Sequence, residues 1–118
     1  MTNQVCHFEI GCRDYARAKD FYSKVFDWRF EKGGGGHDHE VIRTGADVGG
    51  HLHTRDAEPR NYVVFYVMVE DVAAAIARAK ANGGKLLLGP VPEGEHGVYA
   101  WVADPEGNVI GVYTEGKQ

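Results

Sequence analysis

The chain has 118 residues, 43% of them hydrophobic and including two Trp, five Phe and six Tyr, enough for one core of ordinary domain size. Charged residues make up 25% and the formal net charge is -4, so there is no basic field of the kind that binds nucleic acid or anionic lipid. No window approaches the roughly 18 apolar residues of a membrane span, and Met1–Gln4 passes into Val5 without a basic segment and signal-type apolar run. A cytoplasmic protein with neither nucleic-acid nor membrane partners is expected.

Between Val5 and Cys12 the residues Cys6, Phe8, Ile10 and Cys12 alternate with His7, Glu9 and Gly11, the pattern of a strand with one apolar and one polar face. At about 3.3 Å per residue the two cysteines stand about 20 Å apart, beyond the roughly 7 Å limit for a disulfide. Both are expected to be reduced core thiols. Asp14 is placed to cap a helix on which Tyr15, Ala18, Tyr22, Val25 and Phe26 recur at helical spacing, with Phe21 widening the stripe. Trp28–Glu31 and Glu40–Arg43 read as short strands around a loop, Lys32–His39, that holds four consecutive glycines. Val48–Thr54 reads as a fourth strand.

At an offset of 57 residues the pattern restarts: Phe8 corresponds to Phe65, Ile10 to Val67, Cys12 to Val69, Asp14 to Asp71 and Ala18 to Ala75. The second helix runs from about Asp71 to Asn82, with Val72, Ile76 and Ala79 on one face and Arg78 and Lys80 at the end the helix dipole favours. Gly83 and Gly84 end it by admitting a left-handed cap. Lys85–Leu88, Val98–Ala103 and Val109–Thr114 supply three more strands, the last two joined by the turn Asp104-Pro-Glu-Gly-Asn108. Each half is β, α, β, β, β, an α+β arrangement over residues 5–54 and 62–114. The short connection Arg55–Asn61 does not look like a linker between independent domains, so one domain over residues 1–118 is expected.

Several stretches in this order are similar to those of the vicinal oxygen chelate superfamily, the glyoxalase, bleomycin-resistance and extradiol dioxygenase group. They are His7-Phe-Glu-Ile, Asp14 through Ala18 leading to Phe21-Tyr22, Val25-Phe-Asp-Trp28, Val69-Glu-Asp-Val72, Asn82-Gly-Gly84 and Asp104-Pro-Glu-Gly-Asn108. The resemblance implies two βαβββ modules whose sheets pack helices on one face and line a ligand cup with the other, in chains that pair as homodimers. It puts His7, Glu9, Val64, Tyr66 and Met68 on the cup face, joined by Gly111, Tyr113, Tyr99 and Trp101.

In the family's metal enzymes the ligands stand on the first, fourth, fifth and eighth strands. His7 matches the first-strand histidine. Val64 occupies the fifth-strand position and Gly111 the eighth, and neither can bind a metal. Gly50 or His51 falls at the fourth, with the register open. The usual metal site is therefore broken, and alanine at Val64 or Gly111 is expected to be mild for any activity.

Three readings of function follow. In the first, the chain binds a small organic molecule in a cup lined by Tyr66, Trp101, Tyr113, His51 and His53, one or two of the aromatics serving as core instead, with acid and base chemistry at His7 and Glu9 and no cofactor. In the second, His51 and His53, two apart on one strand, join His7 to hold zinc, nickel, iron or manganese for a lyase, isomerase or dioxygenase reaction. In the third, the chain sequesters a ligand without turnover, as antibiotic-binding family members do. His37, Asp38 and His39 are read as a flexible loop, His96 as solvated, and the glycine run as unfit for phosphate because no helix and no Lys-Ser/Thr follow it.

Overall fold

The computed structural model describes residues 3–33 and 39–116. Its elements are β1 (Val5–Gly11), α1 (Tyr15–Phe26), β2 (Arg29–Lys32), β3 (His39–Arg43), β4 (Gly49–His53), β5 (Tyr62–Met68), α2 (Val72–Ala81), β6 (Lys85–Glu93), β7 (Gly97–Ala103) and β8 (Val109–Thr114). The α+β pattern of two βαβββ modules is as the sequence implies. β5 repeats the bounds of β1 at the offset of 57, and both helices are capped alike: the side chain of Asp14 accepts from Arg17 N, and that of Asp71 from Ala74 N.

Cα packing divides the chain into two units, one of residues His7–Val64 and one of the residues up to Cys6 with those from Phe65 onward. The boundary falls inside β1 and β5 rather than in the connection Arg55–Asn61.

In the His7–Val64 unit the strand order is β2-β3-β4-β1, with β1 parallel to β4 and the other pairs antiparallel. One face packs on α1 through Ile10, Cys12, Ile42 and Leu52, with Phe8, Tyr15, Ala18, Tyr22, Trp28 and Phe30 around them. The helix stripe is narrower than expected. Phe21 and Val25 lie on its flank, 55% and 54% exposed, and Phe26, also 54% exposed, stacks only its ring on Tyr22 and Trp28. Asp27 caps α1 in the left-handed region at φ 60, where the short acidic side chain is better tolerated than most.

In the other unit β5, β8, β7 and β6 lie in that order, β5 parallel to β8 and the rest antiparallel. Val69, Val72, Ile76, Ala100, Val102 and Val112 form its core under α2. Gly83, at φ 94, follows the helix as expected. Strand β6 is longer than the sequence suggests. It continues past Leu88 through Gly89 and Pro90 to Glu93 with two register irregularities, which an outermost strand tolerates because a proline there removes no inner ladder bond. Cys12 is a buried core thiol, whereas Cys6 is only half-buried and donates to the Tyr66 carbonyl.

Candidate functional site

The pairing of β1 with β4 sets Glu9 beside His51 and Gly11 beside His53, and the pairing of β3 with β4 sets His39 opposite His53. Leu52 is 0% exposed in the core under α1, which fixes the register of β4: its neighbours His51 and His53 turn to the other face. That face therefore carries His7, Glu9 and Gly11 from β1, His51 and His53 from β4 and His39 from β3. His39 is no loop residue, because it opens β3; His37 and Asp38 lie outside the described residues.

Glu9 is the centre of this group. It is only 6% exposed, and both carboxylate oxygens are engaged: Oε1 lies 3.2 Å from Nε2 of His51, and Oε2 accepts from the Tyr62 hydroxyl. The Tyr62 ring lies directly over Gly11, where a Cβ would stand 2.1 Å from ring carbon Cε2, and the Arg55 guanidinium sits 5.8 Å from the ring centre. His51 is flanked by two further imidazoles, His7 with ring centres 5.5 Å apart and His39 with ring centres 5.4 Å apart in an edge-on arrangement. Burial lowers the His7 pKa to about 4, reinforced by the neighbouring His51 and opposed by Glu9. His7 is thus a neutral imidazole near pH 7, able to accept or donate one hydrogen bond at each nitrogen.

Chemically, this is a carboxylate that orients an imidazole. A carboxylate beside one ring nitrogen orients the ring by that nitrogen, so the other, Nδ1 of His51, is the one suited to take and return a proton. Tyr62 is not singled out by the sequence reading. Period-two alternation from Val64 and Tyr66 does put it on the same face, and that is the signal that could have found it.

The aromatic candidates Tyr66, Trp101 and Tyr113 belong to the other unit. Trp101 Nε1 donates to the Tyr66 hydroxyl at 2.8 Å, and the two residues are 5% and 2% exposed. Tyr99 meets Tyr66 edge-on at 6.1 Å, and the Tyr66 ring covers Gly111, where a Cβ would stand 2.4 Å from it. Tyr113 is half-buried, its pKa raised by burial and then by the carboxylates of Glu115 and Glu93. His96 lines an open groove at the start of α2 with Glu70, Asp71 and Thr114, and its Nε2 is 3.6 Å from Glu95.

The profile of the Glyoxalase/Bleomycin resistance protein/Dioxygenase superfamily matches residues 4–112. The chain belongs to this superfamily. It is similar to a glyoxylase-like domain-containing protein of Didymella fabae, 29% identical over 122 residues that cover 97% of this chain and 95% of the relative. Two longer relatives from Mycobacterium bovis and Mycobacterium tuberculosis are 25% identical over 116 residues, and the chain spans 44% of their length. Among solved structures it is similar to a hypothetical protein of Bacillus halodurans, with TM-score 0.75 at 15% identity over 100% of this chain and 98% of that one. It is also similar to methylmalonyl-CoA epimerase from Mycobacterium tuberculosis, with TM-score 0.68 at 14% identity over 97% and 88%.

Val64, which the resemblance puts at the fifth-strand ligand position, is 2% exposed and apolar, and Gly111, which it puts at the eighth, offers no side chain and lies under a tyrosine ring. Of the two fourth-strand candidates, Gly50 pairs with Phe8 and offers no side chain, while His51 pairs with Glu9, its Nε2 3.2 Å from Oε1. Among the described residues no group of three or more His, Cys, Asp or Glu side chains is disposed to hold a metal ion.

Proposed function

We propose that this superfamily member binds a small organic molecule against the face formed by His7, Glu9, His39, His51 and His53, and that the Glu9–His51 pair moves a proton on it. The observation that carries the reading is the buried carboxylate of Glu9 bracketed by Tyr62 and His51. Burying a carboxylate costs several kcal/mol even when paired, and an apolar side chain would fill the same place at less cost. A fold has little reason to keep such a group for packing alone, whereas acid–base work does. In this reading His51 carries the proton, Glu9 orients it, and His7 and His53 contact the ligand.

The test is a fragment screen followed through the imidazole resonances of the protein. Bound fragments should move the signals of His51 and His7, and the perturbation should vanish in His51→Ala while the variant stays folded. A screen whose hits all leave those signals in place would count against the reading.

Binding without turnover is the second reading, favoured by the missing donors at Val64 and Gly111. Deuterium from solvent separates the two: a turned-over ligand exchanges a carbon-bound hydrogen in the presence of the protein, and a sequestered one does not. We also propose a homodimer, supported by the exposed apolar side chains Phe21, Val25 and Phe26 on α1. Sedimentation at micromolar concentration should give twice the chain mass.

A further inference from the structure

The charges of the unit from Phe65 onward collect at two poles. Its described lysines and arginines are Arg78, Lys80 and Lys85, at the end of α2 and the start of β6. Where β6 and β8 end and α2 begins, about 15 Å away along the helix and about 25 Å away along the strand, stand Glu70, Asp71, Glu93, Glu95 and Glu115. Burial, then the carboxylates of Glu115 and Glu93, raise the pKa of the Tyr113 hydroxyl, so both acids act on the end of β8. Among the described residues none of these acids pairs with a lysine or arginine, and Glu95 instead lies 3.6 Å from Nε2 of His96.

An open groove of about 570 Å³ lies at this acidic pole. Val72, Ala73, Pro90 and Val98 give it an apolar lining, and Glu70 and His96 stand with them. Pockets that hold small molecules enclose most of the ligand, which an open groove does not. A groove of this kind suits a side chain and the stretch of backbone that carries it. The first turn of α2 contributes about half a positive charge, and Asp71 already answers it by accepting from Ala74 N. Glu70, Glu93 and Glu115 are exposed and leave the local field negative, which favours a cation.

We infer that this groove docks a basic segment of another protein, a short stretch in which a small apolar residue stands between lysines or arginines. The apolar residue covers the lining, and the long cationic stems reach the carboxylates around it. A second copy of the chain fits less well. It would have to bring its own cationic pole, and one pole set on the other builds a head-to-tail series rather than a twofold pair. The groove shares no residue with the histidine face, so the inference stands apart from the proposed function.

Three blocked pentapeptides decide it, each titrated into the full chain at pH 7.5 while the backbone amide signals are followed by NMR. The first has two lysines on each side of a valine, the second has glutamates in place of the lysines, and the third has glycine in place of the valine. The first should shift the amides of Val72, Ala73 and Val98 in a saturable way, and bind about tenfold or more weakly when salt rises from about 20 to about 200 mM. The second should leave those amides in place, and the third should bind several-fold more weakly than the first. Glu70→Gln, Glu93→Gln and Glu115→Gln, combined in one chain, should weaken the first peptide about tenfold. Equal binding of the first and third peptides, or an affinity unmoved by the triple substitution, overturns the docking site, as do shifts confined to other residues or no shift at about 10 mM peptide. Self-association that perturbs the same amides without peptide, and that salt reverses, gives the groove to a second copy and overturns the inferred partner. Because the peptide ranking is read on the unaltered chain, it stands even if the triple variant fails to fold.

Discussion

The hydroxyl of Tyr62 donates to Oε2 of Glu9, a residue 53 positions earlier in the chain, while His51 occupies the other oxygen. Tyr62→Phe removes the donor and leaves a buried acceptor short of one partner. Unfolding free energy should fall by about 1–3 kcal/mol with the denaturant slope unchanged. A loss too small to measure in urea titration would mean that the hydroxyl contributes nothing to holding the carboxylate.

Gly11 is the floor on which Tyr62 rests. An alanine Cβ there would stand 2.1 Å from the ring and 2.6 Å from the Arg60 carbonyl oxygen, and the second contact is backbone that cannot swing away. Gly11→Ala should destabilise the chain by about 1–3 kcal/mol, in the range of overpacking, and displace the Tyr62 ring. The His51 imidazole signals should move with it. A stable variant with unaltered His51 signals would show that the ring has another place to go.

Protonation of His7 sets a pH window. Its ordinary value is 6.5 and burial lowers it to about 4 in the folded chain. Between those values the unfolded chain binds more protons than the folded one, so stability is whole above pH 6.5 and is lost as pH falls toward 4. The loss is bounded by about 3 kcal/mol. Chemical denaturation across this range should show the slope in the natural chain and a flatter one in His7→Gln.

The fold was legible because alternation and helical spacing report burial directly. Phe8 and Ile10 face α1, so His7 and Glu9 face away; at the 57-residue offset Val67 packs against the core under α2, whereas Phe65 is left 41% exposed. The register of β4 was not legible, because Gly49 and Gly50 precede His51 and give no side-chain pattern; it took the burial of Leu52 to turn both histidines to one face. His39 was hidden by the glycine run before it. The end of β6 was hidden by Gly89 and Pro90, which read as a stop in isolation but are admissible on an outermost strand. Tyr62's partnership with Glu9 is a tertiary contact, and no local pattern announces it.

In the other unit, Gly111→Ala should be costly for stability, whatever its effect on activity. The new methyl group would stand 2.4 Å from the Tyr66 ring, whose hydroxyl holds the Trp101 indole. About 1–3 kcal/mol is expected from overpacking. Trp101→Phe, which leaves the enclosed hydroxyl without that donor, should cost a similar amount. Thermal unfolding of both variants checks this, and a melting temperature equal to that of the natural chain in either would refute the corresponding contact.

Dialysed, untagged protein should carry well under one equivalent of zinc, nickel, iron or manganese and should not isomerise the hemithioacetal of methylglyoxal and glutathione. Val64 and Gly111, which the family resemblance sets at the fifth- and eighth-strand ligand positions, offer no donor. Such an isomerase needs a metal with open positions and a carboxylate base beside it. Elemental analysis giving one tightly held metal per chain, lost in a His51→Ala, His53→Ala double variant, would restore the metalloenzyme reading.

The chain's two tryptophans divide evenly between its units: Trp28 stacks on Tyr22 beside α1, and Trp101 is enclosed and bonded to Tyr66. Each unit thus contains its own optical beacon. Replacing one indole with phenylalanine leaves emission from the other alone, Trp101 from dry surroundings and Trp28 from a half-wet stack. A pair of single-tryptophan chains can therefore time the melting of each unit separately, and coincident curves would identify the duplicated halves as one cooperative domain.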